Sequence, residues 1–177
     1  MNMKQKAMIL GTFLLAMTFV LFLPLVTFAA SPVIPPSWSQ TLEAKKRFVL
    51  VLQGQGVLDK ETGLVWERSP DITSRHWDEA ISYCLTKYSG KRNGWRLPTM
   101  EELSSLLDKE KYPALPSGHP FSNIQTEQTQ YYWTSTSSLV SNAAWSVNFL
   151  YGNSDSRSKS FDFFSWCVRG GHGYNAP

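Results

Sequence analysis

The stretch His76-Trp77-Asp78-Glu79-Ala80-Ile81-Ser82-Tyr83-Cys84-Leu85-Thr86-Lys87-Tyr88 decides how this chain folds. Trp77, Ala80, Ile81, Cys84, Leu85 and Tyr88 recur at i, i+3, i+4, i+7, i+8 and i+11, which is one face of an α-helix. Ser74 or His76 stands at the N-cap. Asp78 and Glu79 fall in the first turn, where the helix dipole favours acids. Ser89-Gly90 ends the segment. The spacing predicts a helix over 76–88 that points Cys84 into the core. The second cysteine, Cys167, lies in the run from Phe161 to Arg169, which reads as the last strand.

On either side of that helix the chain punctuates itself clearly. Arg47 to Leu52 is β-rich, Gln53-Gly54-Gln55-Gly56 is a turn, and Val57-Leu58-Asp59 resumes the sheet. Asp59 to Gly63 turns again into a short strand, Leu64-Val65-Trp66. Pro98-Thr99 opens a second helix. Thr99 and Glu102 fit the S/T-x-x-E capping box, in which each side chain satisfies the other residue's backbone N–H. Leu103, Leu106 and Leu107 form its apolar face. Three prolines and a glycine mark 112–123 as loop. Tyr131 to Thr136 reads as strand, and Ala144 to Phe149 alternates as a half-buried strand. Gly152 to Ser158 reads as a polar loop. The expected fold is α+β: two helices packed on a small, mainly antiparallel, twisted sheet.

The N-terminus reads as a targeting segment. Lys4 and Lys6 precede an uncharged, mostly apolar run from Ala7 to Val26, and Thr27-Phe28-Ala29 presents small residues at the cleavage positions. This is the layout of a signal peptide over 1–29. The rival reading is an uncleaved anchor, the one way the sequence suggests of touching a membrane. Residues 30–45 then form a Pro/Ser-rich linker or arm, and a folded domain occupies 46–173. The chain carries net charge +3, but Lys4 and Lys6 belong to the leader, leaving fifteen basic against fourteen acidic residues. No nucleic-acid partner is expected from that balance. Lys45-Lys46-Arg47 and Lys91-Arg92 read as solvated faces. With 42% hydrophobic and 14% aromatic residues, disorder is excluded. In an exported protein two cysteines suggest a disulfide, closing a loop of more than eighty residues. The alternative is two buried free thiols.

Six phrases, in order, carry a resemblance. They are Asp59-Lys60-Glu61-Thr62-Gly63-Leu64-Val65-Trp66-Glu67, then Trp77-Asp78-Glu79-Ala80 with Cys84. Gly94-Trp95-Arg96-Leu97-Pro98-Thr99 with Glu102-Leu103 follows. Then come Tyr132-Trp133-Thr134-Ser135-Thr136, Ala144-Trp145-Ser146-Val147 with Phe149 and Gly152, and Cys167-Val168-Arg169. Together they resemble the bacterial domain family named after the C-terminal domain of the Legionella collagen-like adhesin. The resemblance implies a C-type-lectin-like fold related to formylglycine-generating domains, an extracellular or envelope setting, and adhesive roles. The name-giving adhesin is associated with glycosaminoglycan-like polyanions. Lectin-like domains commonly bridge their first helix to their last strand, where Cys84 and Cys167 sit. No collagen-like repeat precedes the domain in this sequence.

Most of those residues read as structural. Trp66, Trp95, Trp133 and Trp145 suit core or rim positions. Arg96-Leu97-Pro98-Thr99 sets a helix start. Arg96 and Arg169 are expected to be partly buried and paired with Glu102, Glu101 or Asp162. Catalytic patterns are missing from the sequence. His76, His119 and His172 have no metal-ligand spacing, so no metal or cofactor is expected. There is no G-x-S-x-G, P-loop or G-x-G-x-x-G. Glu101 and Glu102 are adjacent on a helix and cannot flank one sugar bond. Glu-Pro-Asn, Gln-Pro-Asp and Trp-Asn-Asp, the calcium-lectin tripeptides, do not occur. Binding residues concentrate on loops between rigid strands. The expected ligand-binding set is therefore Tyr151, Asn153, Asp155, Arg157 and Lys159, with Tyr131 and Ser137. Tyrosine offers a stacking face, Asn and Asp hydrogen bonds, and Arg and Lys a positive charge. The sequence reading is a secreted or envelope binding module, not an enzyme, whose partner is an extracellular glycan, a polyanion or a surface protein. The alternatives are a structural part of a surface assembly and a formylglycine-generating enzyme.

Overall fold

The computed structural model describes residues 42–170. The expected leader and residues 30–41 of the expected arm lie outside the described residues. Within them the fold is α+β, with two small antiparallel sheets, short helices and one disulfide. A single helical turn, α1 (Ala44–Arg47), leads into β1 (Phe48–Val51), and Ala44 is buried, two residues ahead of the expected start of the domain. Next come β2 (Gly56–Asp59) and β3 (Leu64–Glu67), then α2 (Trp77–Thr86) and α3 (Met100–Ser104). Strands β4 (Tyr132–Ser137), β5 (Ala143–Asn148), β6 (Asn153–Ser158) and β7 (Val168–Gly170) complete the order.

The strands divide into two sheets where one was expected. The first has order β1-β2-β3-β7 and the second β4-β5-β6, every pairing antiparallel. Gly63, at φ +71°, makes the turn between β2 and β3 in a conformation that glycine adopts without steric cost. The segment 163–168 ties the sheets together. Phe163 exchanges backbone hydrogen bonds with Arg75. Phe164 N–H donates to Tyr131 and its carbonyl accepts from Trp133, while Val168 exchanges bonds with Arg96. Of the expected last strand, Phe161 to Arg169, only Val168 and Arg169 are regular; residues just before them reach different partners one at a time.

Helix α2 stops at Thr86, and Lys87 has already left the helical region. Ala80 and Cys84 are buried as the spacing predicts. Leu85 and Tyr88 are exposed; Tyr88 lies beyond the last helical residue, Thr86, so the helical spacing no longer places it. Cys84 is bonded to Cys167, with Cα atoms 5.5 Å apart and a sequence separation of 83. Around this bond lies one apolar cluster containing Ala80, Trp95, Leu97, Trp133 and Ala144. Helix α3 forms with the capping box in place: Thr99 Oγ1 accepts from Glu102 N–H at 3.2 Å and Glu102 Oε2 from Thr99 N–H at 2.8 Å. Pro98 is buried and its carbonyl accepts from Ser135 N–H, which seats α3 on β4.

A second cluster centres on Trp166, a residue the sequence reading did not single out. Its ring lies 4.9 Å from Phe121, 5.3 Å from Phe149, 5.7 Å from Tyr132 and 5.8 Å from Trp66. Its Nε1–H donates to Glu67 O at 2.8 Å, the polar partner a buried tryptophan needs. Trp66, Trp95 and Trp133 are buried and Trp145 is half-buried.

Of the charged residues, Arg47 and Arg169 depart from expectation. Arg47 does not belong to a solvated basic face. It is buried against Asp59, Nε to Oδ1 at 2.9 Å and Nη2 to Oδ2 at 2.7 Å, and Nη2 also donates to Ser105 O. A guanidinium in the core needs a geometrically matched carboxylate and carbonyl, which these three elements supply. Arg96 binds Glu102 with two short bonds, 2.7 and 2.6 Å, as expected. Arg169 does not make the expected pair: no ion pair of Arg169 occurs among the described residues, and its Nε is buried without a hydrogen-bond partner. Glu102 is already taken by Arg96.

Strand β5 is buried on both faces, not half-buried as its alternation predicts. It is the central strand of its sheet, and its polar residues are used internally. Asn148 Nδ2 donates to the carbonyls of Glu127, Gln128 and Gln130, and its Oδ1 accepts from Leu150 and Tyr151 N–H. One buried amide thereby fixes the 127–130 loop and the turn into β6 together.

Candidate functional site

The expected polar loop at 152–158 is a strand. Asn153–Ser158 pairs with β5 along its whole length, Asn148 with Asn153 through Ala143 with Ser158. Its sequence, Asn-Ser-Asp-Ser-Arg-Ser, has little intrinsic strand preference. The register of the buried β5 imposes the conformation. A strand places residues i and i+2 on one face, so Asn153, Asp155 and Arg157 project together while the serines between them face the other way.

That face meets Tyr131. Asp155 Oδ2 is the hub: it accepts from Tyr131 Oη at 3.2 Å, from Arg157 Nη2 at 3.1 Å and from Asn153 Nδ2 at 3.3 Å. Arg157 Nη2 also donates to Tyr131 Oη at 3.0 Å, and its guanidinium lies 4.8 Å from the centre of the Tyr131 ring. The two charged side chains remain open to water, 38% and 39% exposed. Burial alone lowers the Arg157 guanidinium's pKa, but the bonds to Tyr131 and the Asp155 charge more than offset this, so it stays charged.

Aromatic rings extend this cluster into a platform. Tyr131 lies 5.1 Å from Phe163, and Phe163 stacks on Phe161 at 5.9 Å with the planes 23° apart. Phe161 is half exposed. On the neighbouring segment Lys159 Nζ sits 3.8 Å over the Trp77 ring, whose Nε1–H is fixed by Thr134 O. The backbone bonds between Arg75 and Phe163 and from Trp77 to Lys159 hold the pieces in register. Such a surface offers ring faces for apolar C–H groups and, beside them, a carboxylate, a guanidinium and an amide for hydroxyls.

Of the seven residues expected to bind a ligand, the structure brings Tyr131, Asn153, Asp155 and Arg157 together and places Lys159 beside them on Trp77. Tyr151 has a different neighbour, its ring 6.1 Å from Tyr112. Ser137 is exposed at the end of β4, and its hydroxyl makes no hydrogen bond to the cluster. Phe161, Phe163 and Trp77 were missed as surface residues. The signal was present in Phe161-Asp162-Phe163, where two aromatics at i and i+2 share a face of extended chain.

A second charged group lies near the disulfide. Glu67 is buried, with Lys87 Nζ 2.6 Å from Oε1 and no partner on Oε2. Burial raises its carboxyl above the ordinary value, despite the bonds and charge of Lys87 that act the other way. Lys87 also donates to Tyr83 Oη, and Arg75, paired with Asp71, lies over the Tyr83 ring. These groups brace α2 against β3. Among the described residues no group of three or more His, Cys, Asp and Glu is placed to hold a metal ion, and no helix is long and apolar enough to cross a membrane.

Fold and surface together define a small disulfide-braced α+β domain with an open platform of rings and paired charges. The family follows from the sequence of that domain: the profile of the Lcl C-terminal domain matches residues 55–169, and the chain belongs to this family. Among curated proteins no significant match to the chain is found.

Proposed function

We propose that this protein is an exported, non-catalytic binding module of the bacterial envelope or its surroundings, with a C-type-lectin-like fold, and that it recognises a glycan on the platform formed by Tyr131, Asp155, Arg157, Phe161 and Phe163. The observation that carries the reading is the convergence of the Asp155–Arg157 pair with an aromatic row on one rigid, solvent-open face. The family match and the disulfide from α2 to the segment before β7 support the fold and the oxidising compartment. With both cysteines bonded, no thiol pair is left for the copper chemistry of formylglycine-generating relatives, which favours binding over catalysis.

The charge arrangement favours sugar hydroxyls over a polyanion. Arg157 is compensated by Asp155 at 3.1 Å, so an extended anion meets a carboxylate in the middle of the surface. A glycan array on the purified protein tests the reading. The expected result is a restricted set of ligands, lost in Asp155→Ala and Tyr131→Ala while thermal unfolding stays near wild type. Binding to no glycan, or undiminished binding by both variants, would overturn it. A second reading, a part of a surface assembly, is favoured by Leu139 and Val140, which stand fully and largely exposed at the tip of the β4–β5 hairpin. It predicts that Leu139→Ser/Val140→Ser abolishes co-purification of a surface protein and leaves glycan binding unchanged.

A further inference from the structure

The 111–126 loop frames a cleft of about 390 Å³ that the platform does not use. Its walls are fixed before any ligand arrives. Ala114 N–H donates to Phe149 O at 2.8 Å, Ser122 N–H to Arg68 O at 3.0 Å, and Gln125 N–H to Tyr132 Oη at 2.6 Å. Phe121 is buried against Phe48 and Trp166. A cleft held in this way spends little binding energy on ordering itself. Its volume is at the small end of ligand pockets, suited to one or two rings.

The chemistry of the lining is one-sided. No Asp or Glu lines the cleft. Lys111 supplies one ammonium, and Tyr112, Ser117, Thr126 and Asn123 supply hydroxyls and an amide. His119 contributes a fixed donor. Its Nδ1 is buried without a hydrogen-bond partner, and burial lowers its pKa, which favours the neutral ring. An unpaired lone pair is cheaper to bury than an unpaired N–H, which puts the proton on Nε2, the other nitrogen of a half-buried ring that lines the cleft. At the rim the Tyr112 ring is 70% exposed and is flanked by Tyr151. The cleft therefore combines donors, the charge of Lys111 in its lining with Lys45 beside Gly118 at its edge, and an exposed ring face.

We propose that this cleft is a second binding site, for a single sugar ring bearing one carboxylate: Lys111 takes the carboxylate, His119 Nε2–H and the hydroxyls take the ring oxygens, and Tyr112 covers the ring's apolar face. Lys111 in the lining, with only the Lys45 side chain beside Gly118 at its edge, fits one anionic group and not an extended polyanion. The density of hydroxyl and amide groups selects a polyhydroxylated ring over an apolar carboxylate. No platform residue lines the cleft, so the two surfaces are distinct and a glycan presenting both epitopes gains avidity.

The test is an NMR titration of the purified protein with galacturonate and glucuronate, against galactose, glucose and acetate. Saturable shifts of the His119 ring and of the Gly118 and Thr126 amides are expected with the acidic sugars, at dissociation constants on the order of 1 mM. The neutral sugars and acetate are expected to bind at least about fivefold more weakly. Lys111→Met removes the preference for acid over neutral sugar. His119→Phe weakens binding, His119→Gln retains part of it, and Asp155→Ala on the platform leaves the titration unchanged. Equal shifts from neutral and acidic sugars, no saturable shift with any sugar, or an unaltered preference in Lys111→Met would overturn the proposal. A platform that fails on the glycan array leaves these outcomes as they stand.

Discussion

Replacing Arg47 with methionine is expected to destabilise the protein far more than its place in a Lys-Lys-Arg run suggests. The Arg47 and Asp59 side chains are 2% and 0% exposed, and Glu61 Oε2 lies 3.3 Å from Arg47 Nε. Removing the guanidinium leaves the Asp59 carboxylate in the core without its counter-charge, close to a second carboxylate, and removes the Nη2 bond to the Ser105 carbonyl. Breaking a buried pair from one side costs about 3–5 kcal/mol. For a domain of this size that is a fall in Tm of about 10–20 °C. The assay is equilibrium denaturation of wild type, Arg47→Met, Asp59→Asn and the double variant. The double variant is expected to be more stable than the sum of the singles by at least about 2 kcal/mol, because removing both charges removes the unpaired one. Lys46→Met is the control, since its contact with Glu43 is 71% and 79% exposed, and it is expected to change nothing measurable. A loss below about 1 kcal/mol for Arg47→Met, or strict additivity in the double variant, would refute the reasoning.

Three further outcomes follow from the same geometry. Cys84→Ala/Cys167→Ala opens a loop of 83 residues, and the chain-entropy estimate gives a loss of up to about 4.5 kcal/mol, measured by denaturation against the oxidised protein. Burial alone would raise the Glu102 carboxyl, but hydrogen bonds from Arg96 and Thr99 N–H, with the Arg96 charge, hold it below its ordinary 4.5. Its contribution is therefore complete above that value and fades as pH falls through the depressed folded one, so the stability gap between wild type and Glu102→Gln is expected to narrow on acidification below about pH 5. Asn148→Ala removes five hydrogen bonds and is expected to cost at least about 2 kcal/mol and to expose the 127–130 loop to limited proteolysis.

What the sequence disclosed was mostly local. The Thr99/Glu102 capping box and the inward Cys84 depend on residues a few positions apart, and spacing alone exposes them. Trp66, Trp95 and Trp133 could be assigned to core or rim because large aromatics are mostly buried, and all three lie in the core. Arg47 could not be placed, because its partner Asp59 is twelve residues away and its third contact, Ser105, is farther still. Strand β6 was hidden for a related reason. Asn-Ser-Asp-Ser-Arg-Ser has turn-like composition, and only pairing with a strand that is buried on both sides makes it extended. The same error concealed the organisation of the candidate site. Read as a loop, residues 151–159 form a patch without internal order. As a strand they sort Asp155 and Arg157 onto Tyr131 and assign Tyr151 to Tyr112. Arg169 shows the limit from the other side, since Glu102 was a plausible partner for either arginine and Arg96 holds it.

The most direct measurement on the account is residue-resolved NMR mapping of the best glycan from the array. The account predicts saturable shifts of the Arg157 Nε–H and the Tyr131, Asp155 and Phe163 amides, absent in Asp155→Ala. Saturable shifts confined to other faces, with these four residues unmoved, would contradict it.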